Sequence, residues 1–440
     1  MNKFLFKHID NSPLIVFRIL FGLLCFLESV GAIFTGWITR AFVAPKFTFT
    51  FIGFEWLQPL PGNGMYFYYL IMGLFGFLIM IGYKYRFSII MFTLMWTTTY
   101  LMQKASYNNH YYLLILLSAI MAFLPANKYH SVDAKLNPKI KSNSMPQWCS
   151  WVFILQMFIV YTYGSIAKIY PDWLNASVME IFMYGKRNYM IIGDFLQQKW
   201  LHYFLAYGGI LYDGLVVPFL LYKPTRKFAF CSSIFFHLFN SIVFQVGIFP
   251  YLALGFSLFF FNPQTIKNIF FKKKDFYTDA EVIEPKYKKP LVALFSIYFI
   301  LQIALPLRHH FIKDNVLWTE EGHKMSWRMM LRSKSAHINF KIKDKNANKI
   351  IFVKLDQYLS KKQQRLISTH PDVMWQFAQR LKKEYAEKGQ DIAVLVNCKV
   401  SVNKRPYTPY IDPEVDLASV SWSAFKHSEW ILPSKLDNTK

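Results

Sequence analysis

Asn108-Asn109-His110 and Lys168 are the residues of this 440-residue chain whose types and placement best suit proton transfer at the edge of an apolar region. His110 opens one apolar run and Lys168 closes the next, so two antiparallel segments would bring an imidazole and an amine to the same end of a helical hairpin. Two basic groups held close lower each other's proton affinity, and an apolar setting lowers it further. A lysine made neutral in this way can act as a general base. Spacing alone equally allows Lys168 to snorkel to an interface and His110 to be a satisfied interfacial polar residue. His237 and Asn240 lie at i, i+3 on one helix face and lead into Ser241, Phe244, Gly247 and Phe249. Such a pair serves either a helix–helix hydrogen bond or a binding site. Asp213, four residues after Gly209, is either a structural partner for an Arg or His within the apolar runs or part of a site. Arg18 and Glu28 stand ten residues apart, too far to pair along one helix, and read as structural. No HxxxH, HExxH or CxxC pattern occurs, and His309-His310 would point apart on a helix, so no metal is expected. Neither a Gly-rich phosphate loop nor a GxSxG elbow is present.

The elements that must position these groups are apolar. Runs near the length of a membrane span cover roughly 13–38, 66–83, 87–104, 110–125, 148–169, 200–222, 228–246, 248–262 and 290–307, the fourth and eighth being short. The first carries Arg18 and Glu28 and lacks a small-residue cleavage site, so it is not a secretory signal. Hydrophobic residues make up 54% of the chain and charged residues 17%, which excludes a disordered polymer and a single soluble globule. Cys25, Cys149 and Cys231 fall in or beside the runs and only Cys398 lies clearly outside, so no disulfide framework follows. A net charge of +24 would suit nucleic acid, but its distribution argues otherwise. With the N-terminus cytoplasmic, the short cytoplasmic connections sum to +12 and the outer ones to +3. That asymmetry is the positive-inside pattern. Nine crossings then place the C-terminal part outside, in a periplasm or a lumen.

The expected architecture is an all-α polytopic membrane domain of about nine transmembrane helices over 1–307, followed by a small α+β extracytoplasmic domain over 308–440. Residues 337–355 alternate apolar and polar on both sides of Lys345-Asn346-Ala347-Asn348 and predict a hairpin. Residues 371–388 predict an amphipathic helix, with Phe377, Leu381 and Tyr385 on one face, Pro371 in its first turn and Gly389 at its stop. Residues 391–402 predict a third strand. Residues 403–440 read as extended, with Trp422, Phe425 and Trp430 as anchors.

Taken together, several blocks resemble the vitamin K-dependent gamma-glutamyl carboxylases. Tyr107-Asn108-Asn109-His110-Tyr111-Tyr112-Leu113 is similar to the family's Asn-Asn-His segment. Ala167-Lys168 with Asp172-Trp173 resembles the stretch that holds its catalytic lysine. Tyr129-His130-Ser131-Val132-Asp133, and Phe236-His237 with Asn240-Ser241, Phe244, Gly247 and Phe249, resemble two further blocks. Ser326-Trp327-Arg328-Met329-Met330 resembles a Ser-Trp-Asp-Met-Met block, and Ile411-Asp412-Pro413-Glu414-Val415-Asp416 with Trp422-Ser423-Ala424-Phe425 and Trp430 another. Phe17-Arg18, Leu20-Phe21-Gly22 and Pro59-Leu60-Pro61 fit as well. The likeness runs in order along almost the whole chain.

The resemblance implies that Lys168 is the base that deprotonates reduced vitamin K, phylloquinol or menaquinol, with His110 assisting. It implies Asn109, His237, Asn240, Trp327 and Met330 as substrate-binding residues, O2 and CO2 as co-reactants, and a glutamate-containing polypeptide as substrate. Oxygenation of the hydroquinone to its 2,3-epoxide then supplies an alkoxide strong enough to remove a glutamate γ-hydrogen, and the carbanion takes up CO2. Water would quench such a base, so a dry pocket at the membrane edge suits it. The chain departs from the family at Ala167, where the animal enzymes have a second lysine, and at Arg328, where they have Asp. The animal enzymes also continue beyond the position of Pro433 and carry a disulfide without a counterpart here, which bears on propeptide docking. Two other readings are compatible with the sequence: a quinol oxygenase or epoxidase without protein carboxylation, and a non-enzymatic transporter or scaffold.

Overall fold

A computed structural model describes residues 2–347 and 349–436. Each apolar run forms a helix: α1 (Ser12–Phe34), α2 (Gly64–Ile81), α3 (Tyr85–Met102), α4 (Asn109–Phe123), α5 (Trp148–Ile166), α6 (Lys199–Leu221), α7 (Arg226–Phe239), α8 (Phe249–Phe256) and α9 (Lys288–Leu307). A π-helical turn, Asn240–Phe244, follows α7, and a 3-10 turn, Ser257–Phe260, follows α8. Among the described residues, six helices are long and apolar enough to cross a membrane: α1, α2, α5, α6, α7 with its π turn, and α9 with the turn after it. The α4 and α8 segments are shorter, and α3 lies outside the six, its apolar run diluted by Arg86 and Thr97–Thr99. The nine apolar runs are helical, but among the described residues six helices rather than the expected nine have the length and composition of a crossing.

The chain divides into two compact units. Unit 1 comprises Met1–Val43, Thr50–Thr162 and Leu211–Gln302; unit 2 comprises Ala44–Phe49, Tyr163–Ile210 and Ile303–Lys440. In unit 1, α1 and α2 approach so closely that a Cβ on Gly22 would lie 2.2 Å from the backbone of Met80, and one on Gly76 2.6 Å from that of Phe26. Small residues permit such backbone contact between membrane helices. Gly76→Val is expected to force these helices apart and destabilise unit 1 by about 2–3 kcal/mol, read as a lower Tm in detergent. Phe17 centres an aromatic core, with Phe153, Phe256 and Phe259 within 5.2 Å between ring centroids. Glu28 takes a 2.7 Å hydrogen bond from the Tyr111 hydroxyl, and Arg18 bonds backbone carbonyls, so both serve structure.

Unit 2 is built on an antiparallel sheet of β1 (Lys334–Asp344), β2 (Ile350–Phe352), β3 (Ile392–Val402) and β4 (Thr408–Pro409), in the order β2-β1-β3-β4. Strands β1 and β3 pair from Lys334↔Val402 to Asp344↔Ile392. Ile392, Val394, Val396, Cys398 and Val400 point inward, as a period of two requires. Helix α10 (Pro371–Ala386) lays Met374, Phe377, Ala378 and Leu381 on that face. Gly389 follows with φ +76°, the left-handed conformation that ends the helix. Trp430 is buried and Trp422 packs beside the same core, but Phe425 is 69% exposed and anchors nothing in this unit. His309 and His310 do not point apart: a 3-10 turn, Arg308–Phe311, brings their ring centroids to 4.0 Å. All four cysteines are free thiols, as the absence of a disulfide framework in the sequence led one to expect.

Candidate active site

In unit 1, Asn108 sets the start of α4: its side-chain oxygen accepts the Tyr111 amide at 2.7 Å. Asn109 is buried and accepts a 2.9 Å hydrogen bond from the Tyr107 hydroxyl. His110, in the first turn, stacks on Phe249 with ring centroids 4.6 Å apart and planes 20° from parallel. His237 meets the same Phe249 edge-on, at 5.7 Å and 76°. One aromatic ring thus joins two imidazoles that come from helices far apart in sequence. The π turn after α7 begins at Asn240, three residues on; such turns concentrate at functional sites.

Two phenols hold His237 by one ring nitrogen. Ser233 donates to the Ala229 carbonyl at 2.8 Å and accepts the Tyr212 hydroxyl at 3.0 Å. The Tyr161 and Tyr212 hydroxyls lie 2.9 Å and 3.1 Å from Nε2 of His237. The Nδ1 atom of His237 is on the other side of the ring. It is buried, and neither it nor Nδ1 of His110 has a hydrogen-bond partner among the described residues. Buried polar atoms left in this state are costly and call for a partner. A flat aromatic diol fits this setting, since its hydroxyls can donate to or accept from imidazole nitrogens and its ring suits an aromatic wall. Tyr212→Phe would leave His237 with one phenolic neighbour. The KM for such a diol is expected to rise about fivefold, the worth of about one hydrogen bond, and Tm to fall by the cost of a lost buried bond, about 1 kcal/mol.

Unit 2 holds Lys168, just past the last turn of α5. It is buried, its Nζ donates to the Gly164 carbonyl at 2.9 Å, and it stands 5.6 Å from the centre of the Trp173 ring. Gly209 lies beside both residues, and Trp173 is fixed by its own 2.9 Å bond to the Ala206 carbonyl. Asp172 is committed elsewhere. Arg405 grips both of its oxygens, with 2.7 Å from Nη2 to Oδ1, and Asn403 donates at 2.7 Å. Burial alone would raise the Asp172 carboxyl, but these bonds and the Arg405 charge hold it below its usual value.

The segment carrying Trp327 and Met330 is strained. Glu320, Met325, Trp327 and Met330 all have φ between +52° and +63°, a region that residues with large side chains rarely adopt. Trp327 is 1% exposed, whereas Met330 is 40% exposed. Glu320 anchors the segment: Arg332 and Lys334 both bond its carboxylate, Lys334 at 2.8 Å. Beside it lies a cavity of about 530 Å³ whose lining includes Tyr170, Asp172, His309, His310, Arg328 and Arg405.

The structure thus brings His110, His237 and Phe249 together in unit 1, with Asn109 and Asn240 flanking them in sequence. Lys168, Trp327 and Met330 belong to unit 2. Sequence reasoning passed over Tyr161 and Tyr212, the two phenols that orient His237. The one available signal was position: Tyr161 precedes Lys168 by seven residues on the same run, and Tyr212 adjoins Asp213.

Comparison with known families gives this arrangement its context. Residues 6–264, more than half of the chain, match the HTTM domain. Residues 287–437 match the Vitamin K-dependent gamma-carboxylase, lumenal domain. A helical membrane domain followed by a sheet-containing lumenal domain is thus the class of protein defined. Within that class, the chain belongs to the vitamin K-dependent gamma-carboxylase family. No solved structure matches it.

Proposed function

We infer that this protein is a vitamin K-dependent gamma-glutamyl carboxylase. The observation that carries the reading is the pair of buried, partnerless imidazole nitrogens around Phe249, in a chain whose two domains match this family. Reduced vitamin K, when bound, supplies with O2 the driving force and the strong base, and leaves as the 2,3-epoxide.

The side chains divide the remaining work. Lys168 takes the hydroquinone proton as general base. His237, held at Nε2 by Tyr161 and Tyr212, hydrogen-bonds the hydroquinone through Nδ1 and orients the ring, while His110 and Phe249 form its aromatic wall. Asn109 and Asn240 border this wall. The peptide glutamate, once deprotonated at its γ-carbon, takes up CO2. In unit 2, Arg328 is the lining cation of the 530 Å³ cavity that is not paired with Asp172, and it can receive the carboxylate of an acidic peptide.

The topology that serves this chemistry has nine crossings, the N-terminus cytoplasmic, a membrane domain over 1–307 and an extracytoplasmic domain over 308–440. The short α4 and α8 helices need only cross within the shelter of their neighbours. The test combines purified protein, reduced vitamin K, labelled bicarbonate and a glutamate-containing peptide in one tube. Epoxide and acid-stable label are expected together. Epoxide without label would reduce the protein to a quinol oxygenase, and neither product, with menaquinol also silent, would sink the assignment. His110→Ala should slow both products by about tenfold to a hundredfold, less than removal of the base itself.

A further inference from the structure

At one end of unit 1 lies a second cavity, of about 600 Å³, unconnected with the imidazole pair. It is lined by Arg18 and Ile19 of α1, Met80 and Ile81 at the end of α2, residues 129–132, Ala134 and Lys135, and Lys141. Its composition is amphiphilic. Ile19, Met80, Ile81 and Val132 form an apolar wall where α2 ends, and Lys135 and Lys141 stand exposed at the rim. No acidic residue is found among the described residues that line it.

The floor of the cavity carries a buried cation. Arg18 is fully buried, and its guanidinium donates to three backbone carbonyls: Ala126 at 3.0 Å, Tyr129 at 3.3 Å and His130 at 2.6 Å. Its Nε is buried with no partner among the described residues. Carbonyl dipoles solvate a cation but do not neutralise it. Asp133 attracts this charge without a direct ion pair and is itself held by the amides of Lys84 and Tyr85 and by Asn127. The backbone is shaped to keep this arrangement. His130 adopts φ +46°, with its carbonyl bonded to Arg18. Gly82 adopts φ +68°, and a Cβ there would lie 2.9 Å from the Arg18 guanidinium and 2.5 Å from Ser131.

We propose that this cavity binds a phosphate-bearing anion, with its negative charge between Lys135 and Lys141 above the Arg18 floor. The apolar wall beside the cations, at the end of a membrane-length helix, selects the headgroup of an anionic phospholipid over free phosphate, because acyl chains can follow Ile19, Met80 and Ile81. The site is independent of the carboxylase reading.

The test uses the full-length protein in a neutral detergent and native mass spectrometry. The probes are dioleoylphosphatidylglycerol, dioleoylphosphatidylcholine and inorganic phosphate, against wild type and Lys135→Gln/Lys141→Gln. Both substituted residues are at the exposed rim, so the variant keeps the fold, checked by its Tm. The wild type is expected to retain the glycerol lipid over the choline lipid. The double variant should lose about 30-fold in that affinity, at about 1 kcal/mol for each cation. Binding of inorganic phosphate with the same loss, and without lipid preference, would keep the anion site and assign it to free phosphate, overturning the lipid assignment. Equal retention of both lipids with no phosphate binding, or an unchanged double variant, would overturn the proposal.

Discussion

Lys168→Ala should abolish epoxide formation and carboxylation together, with a loss of about 1000-fold or more, within the range that a general base contributes. Position and chemistry both support this role. Lys168 is buried, bonded to one backbone carbonyl at 2.9 Å and set beside Trp173. Lys168→Arg tests the role more sharply. A guanidinium keeps a positive charge but stays protonated, so it cannot accept a proton. If Lys168 only supplied charge, the arginine variant would work; if it is the base, both variants are equally inactive. Small primary amines added to the alanine variant should restore part of the epoxide yield. Activity in the arginine variant at more than a tenth of wild type would remove Lys168 from the role of base.

Glu320→Gln is expected to destabilise unit 2 by about 3–5 kcal/mol, the cost of breaking a buried ion pair and leaving its partners charged. Burial alone would raise the Glu320 carboxyl, but Arg332 and Lys334 hold it well below the usual 4.5. Its folded-state value is thus depressed. The stabilisation is fully present above about pH 4.5 and is lost as pH falls through the lower folded value. Lys334 has the opposite character. Burial is the largest influence and brings it from 10.5 to about 8 despite Glu320. Between those values the unfolded chain binds more protons than the folded one, so this group makes stability rise with pH. In Glu320→Gln the lysine loses its carboxylate and is neutralised more readily. The penalty of the substitution should therefore be larger at pH 7 than at pH 9, measured as the difference in Tm between variant and wild type. A penalty that does not change with pH would show that Lys334 has no part in it.

Periodicity made the larger elements legible. The apolar runs marked each of the nine helices, and the alternation in β1 and β3 and the stripe on α10 marked the core of unit 2. Span number was less legible, because α4 and α8 are apolar yet short and α3 is long yet dotted with threonine. Phe425 read as an anchor because aromatic residues usually bury themselves, and nothing local revealed its exposure. Of the site, His110 and His237 stood out as polar residues at membrane depth, but Tyr161 and Tyr212 did not. A tyrosine in an apolar run looks like wall material until its hydroxyl is seen beside an imidazole. The bond between Asp172 and Arg405 joins residues more than 200 positions apart, a separation across which a single sequence gives no pairing signal. The strain at Met325, Trp327 and Met330 was hidden for another reason. Methionine and tryptophan are not the residue types that mark a left-handed turn position, although Met325 and Trp327 lie in a turn and Met330 in a bend.

The π turn at Asn240–Phe244 has a consequence for how this protein tolerates change in length. A π turn holds one residue more than the α-helix that spans the same rise. Losing one residue there would regularise the helix instead of breaking it, and the shortened protein could still fold. The deletion would move the start of the link 245–248 about 1.5 Å along the α7 axis and about 100° around it. Phe249, the ring shared by two histidines, lies at the far end of that link. A deletion that is mild for folding would thus be felt at the site, because the extra residue aims the short link that carries Phe249.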